Sequence, residues 1–274
     1  MRVGFALPNI GLLGTREALV KSAQRAEELG YDNLWTVERL LYPLKPQTPY
    51  PGTAGGLLPE PYKQGSLDPL TALTYVAAHT RRIGLGTSVL DMPYYNPVVL
   101  ARQLTAIDVL SGGRLRLGMG LGWSQDEYTA TGASMKNRGA RADEFLKLLK
   151  AIWTTDPVEF HGKFFEVPKS NIQPKPAQKP HPPIYLAAFA PAAMKRVVEL
   201  ANGWNPVAIP VEGMAQMIRQ MRDMAKAAGR DPSTLEVVVR ANVEVAEKPL
   251  GKNRFIFTGS IEQIQEDIRA TKGL

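Results

Sequence analysis

Apolar positions in this chain alternate between a spacing of two and a spacing near 3.6. Residues 2–7 read as a first strand, ending at Pro8-Asn9. A helix follows from near Thr15, with Leu19, Ala23, Ala26 and Leu29 at close to helical spacing. Gly30 is placed to close that helix in the left-handed conformation, which glycine adopts without steric cost. Residues 31–37, 82–90 and 114–120 read as strands two, three and four. Asp68-Pro69 and Asn96-Pro97 each offer an N-cap followed by a proline at the first helical position. Leu100, Leu104, Ile107 and Leu110 give the second of these helices an apolar face, and Gly112-Gly113 stops it. A further helix is expected over residues 138–153. Strand, helix and strand joined by short turns predict parallel pairing. The expected fold is α/β, a TIM-type (β/α)8 barrel with residues 1–274 as one domain.

Two stretches break the rhythm. Residues 41–66 carry Pro43, Pro46, Pro49, Pro51, Gly52, Gly55, Gly56, Pro59 and Pro61. A loop this long inside a compact domain is a candidate lid, and because it follows a strand it falls on the catalytic face of a barrel. Residues 158–183 form an insertion before strand five, beginning with a hairpin predicted to turn at His161-Gly162. Strand five is read at 184–188, with a helix from Pro191, then a short strand six at 203–209 and a Met-rich helix over 213–228. Val237, Val239, Val243 and Val245 suggest strand seven over 235–245. Ser260-Ile261-Glu262-Gln263 is a capping-box start for a last helix. That makes seven strands. Either strand eight is missing, or Phe255-Ile256-Phe257 supplies it.

The composition fits one large core: 274 residues, 44% hydrophobic and 22% charged. There is no cysteine, which excludes disulfides and thiolate-bound metal and favours a cytoplasmic home. Met-Arg-Val-Gly-Phe runs straight into the first strand with no secretory pattern, and no apolar run approaches the roughly 20 residues needed to cross a bilayer, so no membrane is expected. The net charge is +7. The basic residues are scattered, which argues against nucleic acid and leaves a solvated basic surface or attraction to an anionic ligand.

In a parallel barrel the chemistry sits at the C-terminal ends of the strands. Those ends carry Pro8-Asn9, Glu38-Arg39, Thr87-Ser88-Val89, Gly120-Leu121-Gly122-Trp123, Ala187-Ala188-Phe189, Gly203-Trp204-Asn205, and Arg240 with Asn242. Only Glu38-Arg39 is an acid–base neighbour pair. None of His79, His161 and His181 stands at a strand end with a carboxylate at ligand spacing, so no metal site is expected. There is no G-x-S-x-G elbow and no Walker loop. Gly118-x-Gly120-x-Gly122 fits either close backbone packing or the approach of a flat ring or phosphate, and both readings stay open. A site this poor in titratable dyads suits a protein that holds a cofactor and leaves the hard chemistry to it.

Residues 82–90, Tyr95-Asn96-Pro97, the run from Leu104 through Ile107-Asp108 to Ser111-Gly112-Gly113-Arg114, Gly118-x-Gly120-x-Gly122-Trp123 and Glu127-Tyr128 together resemble the bacterial luciferase-like superfamily. Arg138-Gly139-x-Arg141-x-Asp143-Glu144, Phe160-x-Gly162, Pro174-Lys175-Pro176, Pro182-Pro183-Ile184 and Gly203-Trp204 extend the resemblance along the whole chain. Within that superfamily the chain is similar to the branch of coenzyme F420-dependent oxidoreductases. The resemblance implies a homodimer acting on a small-molecule substrate, with hydride exchanged between the deazaflavin and that substrate. The alternative it leaves is a monooxygenase using reduced flavin mononucleotide (FMN). A barrel that has lost its cofactor is a third reading.

The resemblance also implies site residues. Ser88-Val89 matches a non-proline cis peptide that backs the cofactor ring, with Thr87 beside it. Glu38-Arg39 matches a strand-two pair that is commonly an acid followed by His, and they are the catalytic candidates, with Glu38 handling a proton. Arg39 stands where relatives commonly carry His, keeps its charge, and is a candidate to contact an anionic substrate or the ring edge in place of a borrowed general base. Asn9, Gly120, Gly122, Trp123 and Asp126 join the cofactor-contacting set, with Trp123 as a substrate wall. Ala187-Ala188-Phe189 stands where relatives often carry Gly-Gly, ahead of a helix whose N-terminus suits a phosphate. Arg138 and Arg141 are candidates for an anionic cofactor tail.

Overall fold

The structure, a computed structural model, describes every residue except 51, 52, 54 and 252, so Pro51 and Gly52 of the expected lid lie outside the described residues. The chain divides into two compact units, residues 2–184 and residues 185–274 with Met1.

The first unit runs β1 (Gly4–Ala6), α1 (Arg16–Glu28), β2 (Asn33–Thr36), α2 (Glu60–Lys63), α3 (Pro69–Ala77), β3 (Gly84–Asp91), α4 (Pro97–Leu110), β4 (Leu115–Gly120), α5 (Gln125–Thr131), α6 (Arg138–Thr154), β5 (Val158–His161) and β6 (Glu166–Ser170). β1 to β4 pair in parallel in chain order, with Gly4 opposite Asn33, Asn33 opposite Gly84, and Leu85 opposite Leu115. β3 and β4 are buried along almost their whole length, as parallel strands covered on both faces must be. Leu19 and Ala23 of α1, Leu73 and Val76 of α3, and Leu34 and Leu85 of the strands make one packed cluster.

The predicted helix starts are where the sequence put them. Thr15 accepts from the Ala18 N–H, Asp68 from the Thr71 N–H at 2.7 Å and Asn96 from the Val98 N–H at 2.9 Å. Gly30 closes α1 at φ +82°. The hairpin is also present, but its turn spans residues 162–165, beyond the predicted His161-Gly162. The reason is Glu144 of α6, whose carboxylate accepts the N–H groups of Lys163, Phe164 and Phe165 at 2.7–2.9 Å and so fixes that turn.

The second unit contains β7 (Ile184–Leu186), α7 (Pro191–Leu200), β8 (Gly203–Trp204), α8 (Val211–Ala227), β9 (Glu236–Val237), β10 (Glu244–Val245), β11 (Thr258–Gly259) and α9 (Ile261–Lys272). β7, β8 and β9 pair in parallel. Ser260 makes the expected capping box with Gln263.

Strand seven needs correction. Only Glu236 and Val237 extend β8, whereas Glu244 and Val245 pair with β11. Val243 and Val245 are 56% and 63% exposed, and alternation specifies a sheet register only where one face is buried. Phe255-Ile256-Phe257 is not the eighth strand. It leads into β11, with Phe257 in the left-handed region at φ +65°. No helix among the described residues is long and apolar enough to cross a membrane.

Candidate active site

The ends of β2, β3 and β4 bring together residues far apart in sequence. β2 delivers Glu38 and Arg39, β3 delivers Asp91 and, just beyond it, Tyr94 and Tyr95, the turn after β4 delivers Trp123, and the first turn of α5 delivers Glu127. The register of β3 against β4 slips between Thr87 and Leu90, where the Ser88–Val89 peptide is cis. Gly120 makes room for this bulge. A Cβ there would lie 2.7 Å from Val89 Cγ2 and 2.9 Å from Asp91 Oδ1. Gly122, at φ +69°, lies against the Tyr94 hydroxyl, so both glycines serve close packing.

Glu38 is 2% exposed. Its Oε2 accepts the Asp91 N–H at 2.7 Å, and its Oε1 is paired with the Tyr95 hydroxyl. Burial first, then the neighbouring Asp91 carboxylate, pushes the Glu38 carboxyl up to about 8. Asp91 is also buried and is raised to about 6, with Arg39 opposing the shift. The same burial and the surrounding carboxylates raise both tyrosine hydroxyls, so Tyr94 and Tyr95 hold their protons throughout the ordinary pH range.

Arg39 is committed elsewhere. Its Nη1 lies 2.9 Å from Glu127 Oε2, and its guanidinium sits 5.2 Å from the centre of the Trp123 ring. Glu127 also accepts the Leu40 N–H at 2.8 Å and the Tyr94 hydroxyl at 3.4 Å. Arg39 and Glu127 therefore lock the start of the long loop to α5.

Several expected cofactor contacts spend their polar atoms on the protein. Asn9 bonds the Val37 and Leu67 carbonyls and the Val37 N–H, tying the ends of β1 and β2 to the end of the long loop. Thr87 donates to the Gly118 carbonyl at 2.8 Å. Asp126 accepts the Gln47 N–H at 3.0 Å, which pins the loop, and Tyr50 packs on Trp123 at 5.4 Å. The Gly122 carbonyl accepts from Arg138 at 3.0 Å, and Arg141 lies 4.3 Å from the Phe165 ring. Ser88 is buried, while Val89 and Trp123 are partly exposed. In the second unit, Ala188 is buried with its carbonyl accepting the Trp204 indole N–H at 2.9 Å, Ala187 is partly exposed and Phe189 is 58% exposed. The next helix, α7, begins at Ala190-Pro191 with no side-chain cap.

Sequence reasoning missed Asp91, Tyr95 and Glu127 as members of this cluster. A carboxylate directly after the apolar end of a strand was the available signal for Asp91. An open groove of about 870 Å³ along α1, lined by Arg25, Tyr31, Tyr75 and His79 among others, includes no residue of the strand-end cluster.

The luciferase-like monooxygenase profile matches residues 2–249. The chain belongs to that family. It is 34% identical over 190 residues to an F420-dependent glucose-6-phosphate dehydrogenase of Amycolatopsis mediterranei, covering 68% of this chain and 52% of the relative. It is 32% identical over 155 residues to an FMNH2-dependent dimethylsulfone monooxygenase of Pseudomonas putida, covering 56% and 42%. Among solved structures, the monooxygenase RslO1 from Streptomyces bottropensis superposes with a TM-score of 0.76 at 27% identity, covering 99% of this chain and 78% of that one. The relatives thus divide between deazaflavin and flavin enzymes, and the barrel fold expected from the sequence is the fold of this family.

Proposed function

We propose that this luciferase-like protein is an F420-dependent oxidoreductase that moves a hydride between the deazaflavin and a small organic substrate. What supports the reading is Glu38, a buried carboxyl that accepts the Asp91 N–H at 2.7 Å just past the Ser88–Val89 bulge and that burial pushes up to about 8. Reduction by hydride needs a proton as well, and a neutral acid at the strand ends can supply one.

The residues present fit a flat cofactor ring. Val89 and Trp123 offer partly exposed apolar surface at the strand ends. The Ser66 hydroxyl, at the end of the long loop, is buried without a hydrogen-bond partner. Such a donor is costly unless something it can bond to is brought to it. When bound, the cofactor supplies the hydride. Val89, backed by Gly120, and Trp123 would hold the ring, and Ser66 would bond its polar edge. Asn9, Thr87, Gly122 and Asp126 act as scaffold behind that surface. The turn at Ala187, Ala188 and Phe189, with the uncapped start of α7, is a candidate anion site of the second unit. The net charge of +7 suits a cofactor with an anionic tail. Family resemblance extends the reading to a homodimer, and the cysteine-free composition to a cytoplasmic home.

The second reading, an FMNH2-dependent monooxygenase, is favoured by the likeness to RslO1 and to the dimethylsulfone monooxygenase. Titration of the purified protein with F420 and with FMN, followed by fluorescence, separates the two. Tighter binding of F420 is expected. Binding of FMN alone would replace the first reading with the second, and binding of neither would leave a barrel without a cofactor.

A further inference from the structure

Trp123 stands between the end of β4 and the start of α5, partly exposed, and its indole N–H has no hydrogen-bond partner among the described residues. Two contacts hold its ring, the Arg39 guanidinium at 5.2 Å and the Tyr50 ring at 5.4 Å. They differ in how firmly they are themselves held. Arg39 is paired with Glu127, and the side chains of that pair are 11% and 1% exposed. Tyr50 belongs to the long loop, and its hydroxyl has no partner among the described residues. Its ring touches Trp123, and its backbone N–H bonds the Gly56 carbonyl, further along the same loop. Residues 40–50 therefore have a firm end and a loose end. At the firm end the Leu40 N–H donates to Glu127 at 2.8 Å, inside the buried ion pair. At the loose end the Gln47 N–H donates to Asp126 at 3.0 Å at the surface, and Thr48 Oγ1 accepts the Gln125 N–H at 3.2 Å. Between the two ends Leu44 is 79% exposed, so no packing holds it there, while Pro43, Pro46 and Pro49 stiffen the chain.

We propose that Tyr50 is a removable cover on Trp123: residues 40–50 form a strap hinged at Leu40 and latched at residues 47–50, and a planar aromatic ring binds Trp123 by displacing Tyr50. The inference rests on the reading above that Trp123 holds a flat ring, and adds to it the contact that controls access to that surface. The exchange is close to balanced. Stacking one ring on an indole in place of another returns the kind of contact that was given up, and Tyr50 has no side-chain hydrogen bond to lose. Arg39 stays on Trp123 in both states, because Glu127 fixes it, so the indole keeps its place while its partner changes. The latch breaks at contacts near the surface, which open locally at little cost, and the hinge lies at buried ones. A ligand that needs the open strap binds more weakly by the fraction of time the strap is closed, so Tyr50 sets a threshold for ligands that stack on Trp123.

The test compares wild type, Tyr50→Ala and Tyr50→Phe by amide hydrogen exchange and by ligand titration. In protein without ligand, the Gln47 and Gln125 amides of the latch should exchange faster than the Leu40 amide of the hinge. Tyr50→Ala should speed the first two and leave Leu40 unchanged, and Tyr50→Phe, which keeps the ring, should match wild type. A Leu40 amide that exchanges in step with Gln47 would overturn the hinge, and latch amides that do not respond to Tyr50→Ala would overturn the latch. Titrated with F420 and with FMN as ring probes, Tyr50→Ala should bind about 2- to 10-fold tighter than wild type, the equivalent of one aromatic pair. Saturating wild type with the probe that binds should speed exchange at Gln47 and Gln125. Equal or weaker binding by Tyr50→Ala, or slower exchange of those amides on binding, would overturn the displacement and make Tyr50 part of the bound site. Binding of neither probe by wild type or Tyr50→Ala would defeat the cofactor reading and the displacement with it, while exchange still decides whether the strap is hinged.

Discussion

Glu38 and Glu127 are buried to nearly the same degree, 2% and 1% exposed, at the strand ends of one unit. Their partners differ. Glu127 meets a guanidinium at 2.9 Å, a backbone N–H and a tyrosine hydroxyl. Glu38 meets a backbone N–H and a tyrosine hydroxyl, and its nearest charged influence is another carboxylate, Asp91. Burial alone therefore does not decide what a carboxyl does here. With a cation it becomes a strut that holds a loop, and without one it becomes a stored proton. Arg39, the arginine next to Glu38 in the chain, went to the strut.

The largest effect that would break this contrast is expected from Arg39→Ala. It leaves Glu127 buried without its cation, and losses of about 3–5 kcal/mol in urea unfolding are typical of that change. A loss under about 1 kcal/mol would mean the pair is no strut. Glu38→Gln should act in the opposite sense. Folded Glu38 keeps its proton to about pH 8, while the unfolded chain releases it near its ordinary value of 4.5. The wild type therefore loses stability as pH rises through that window, and the glutamine variant does not. The variant's advantage should grow across it to the order of a few kcal/mol and level off above it. An advantage independent of pH would contradict a neutral Glu38.

A smaller effect is expected at the floor of the site. Gly120→Ala places a Cβ 2.7 Å from Val89, so unfolding experiments should show a loss of about 1–3 kcal/mol, with weaker cofactor binding because the bulge must shift. The smallest effect is expected from Asp126→Ala. It should cost no more than about 1 kcal/mol and leave cofactor affinity unchanged, while proteolysis within residues 41–66 accelerates. A fall in cofactor affinity would return Asp126 to the binding surface.

These predictions mark where the sequence was legible. The helix starts at Thr15, Asp68, Asn96 and Ser260 could be read because a cap is a local event, decided by side chains within a few residues of the turn. The cis peptide at Ser88–Val89 was legible only through family motifs, and the pair Glu38-Arg39 through its place at a strand end. The contacts of that pair were not legible. Tyr95 lies 57 positions from Glu38, and Glu127 lies 88 positions from Arg39, so neither contact has a local signature. Residues 235–245 misled for a related reason. Their valine spacing was regular, but whether a strand forms depends on a neighbour supplied by distant chain.

The most direct measurement is a pH titration of the side-chain carboxyl carbons by NMR, using protein labelled at glutamate and the Glu38 resonance assigned by its loss in Glu38→Gln. The resonance should remain that of a neutral acid at pH 7 and titrate with a midpoint near 8. A midpoint close to 4.5, the ordinary glutamate value, would contradict the stored proton and the function built on it.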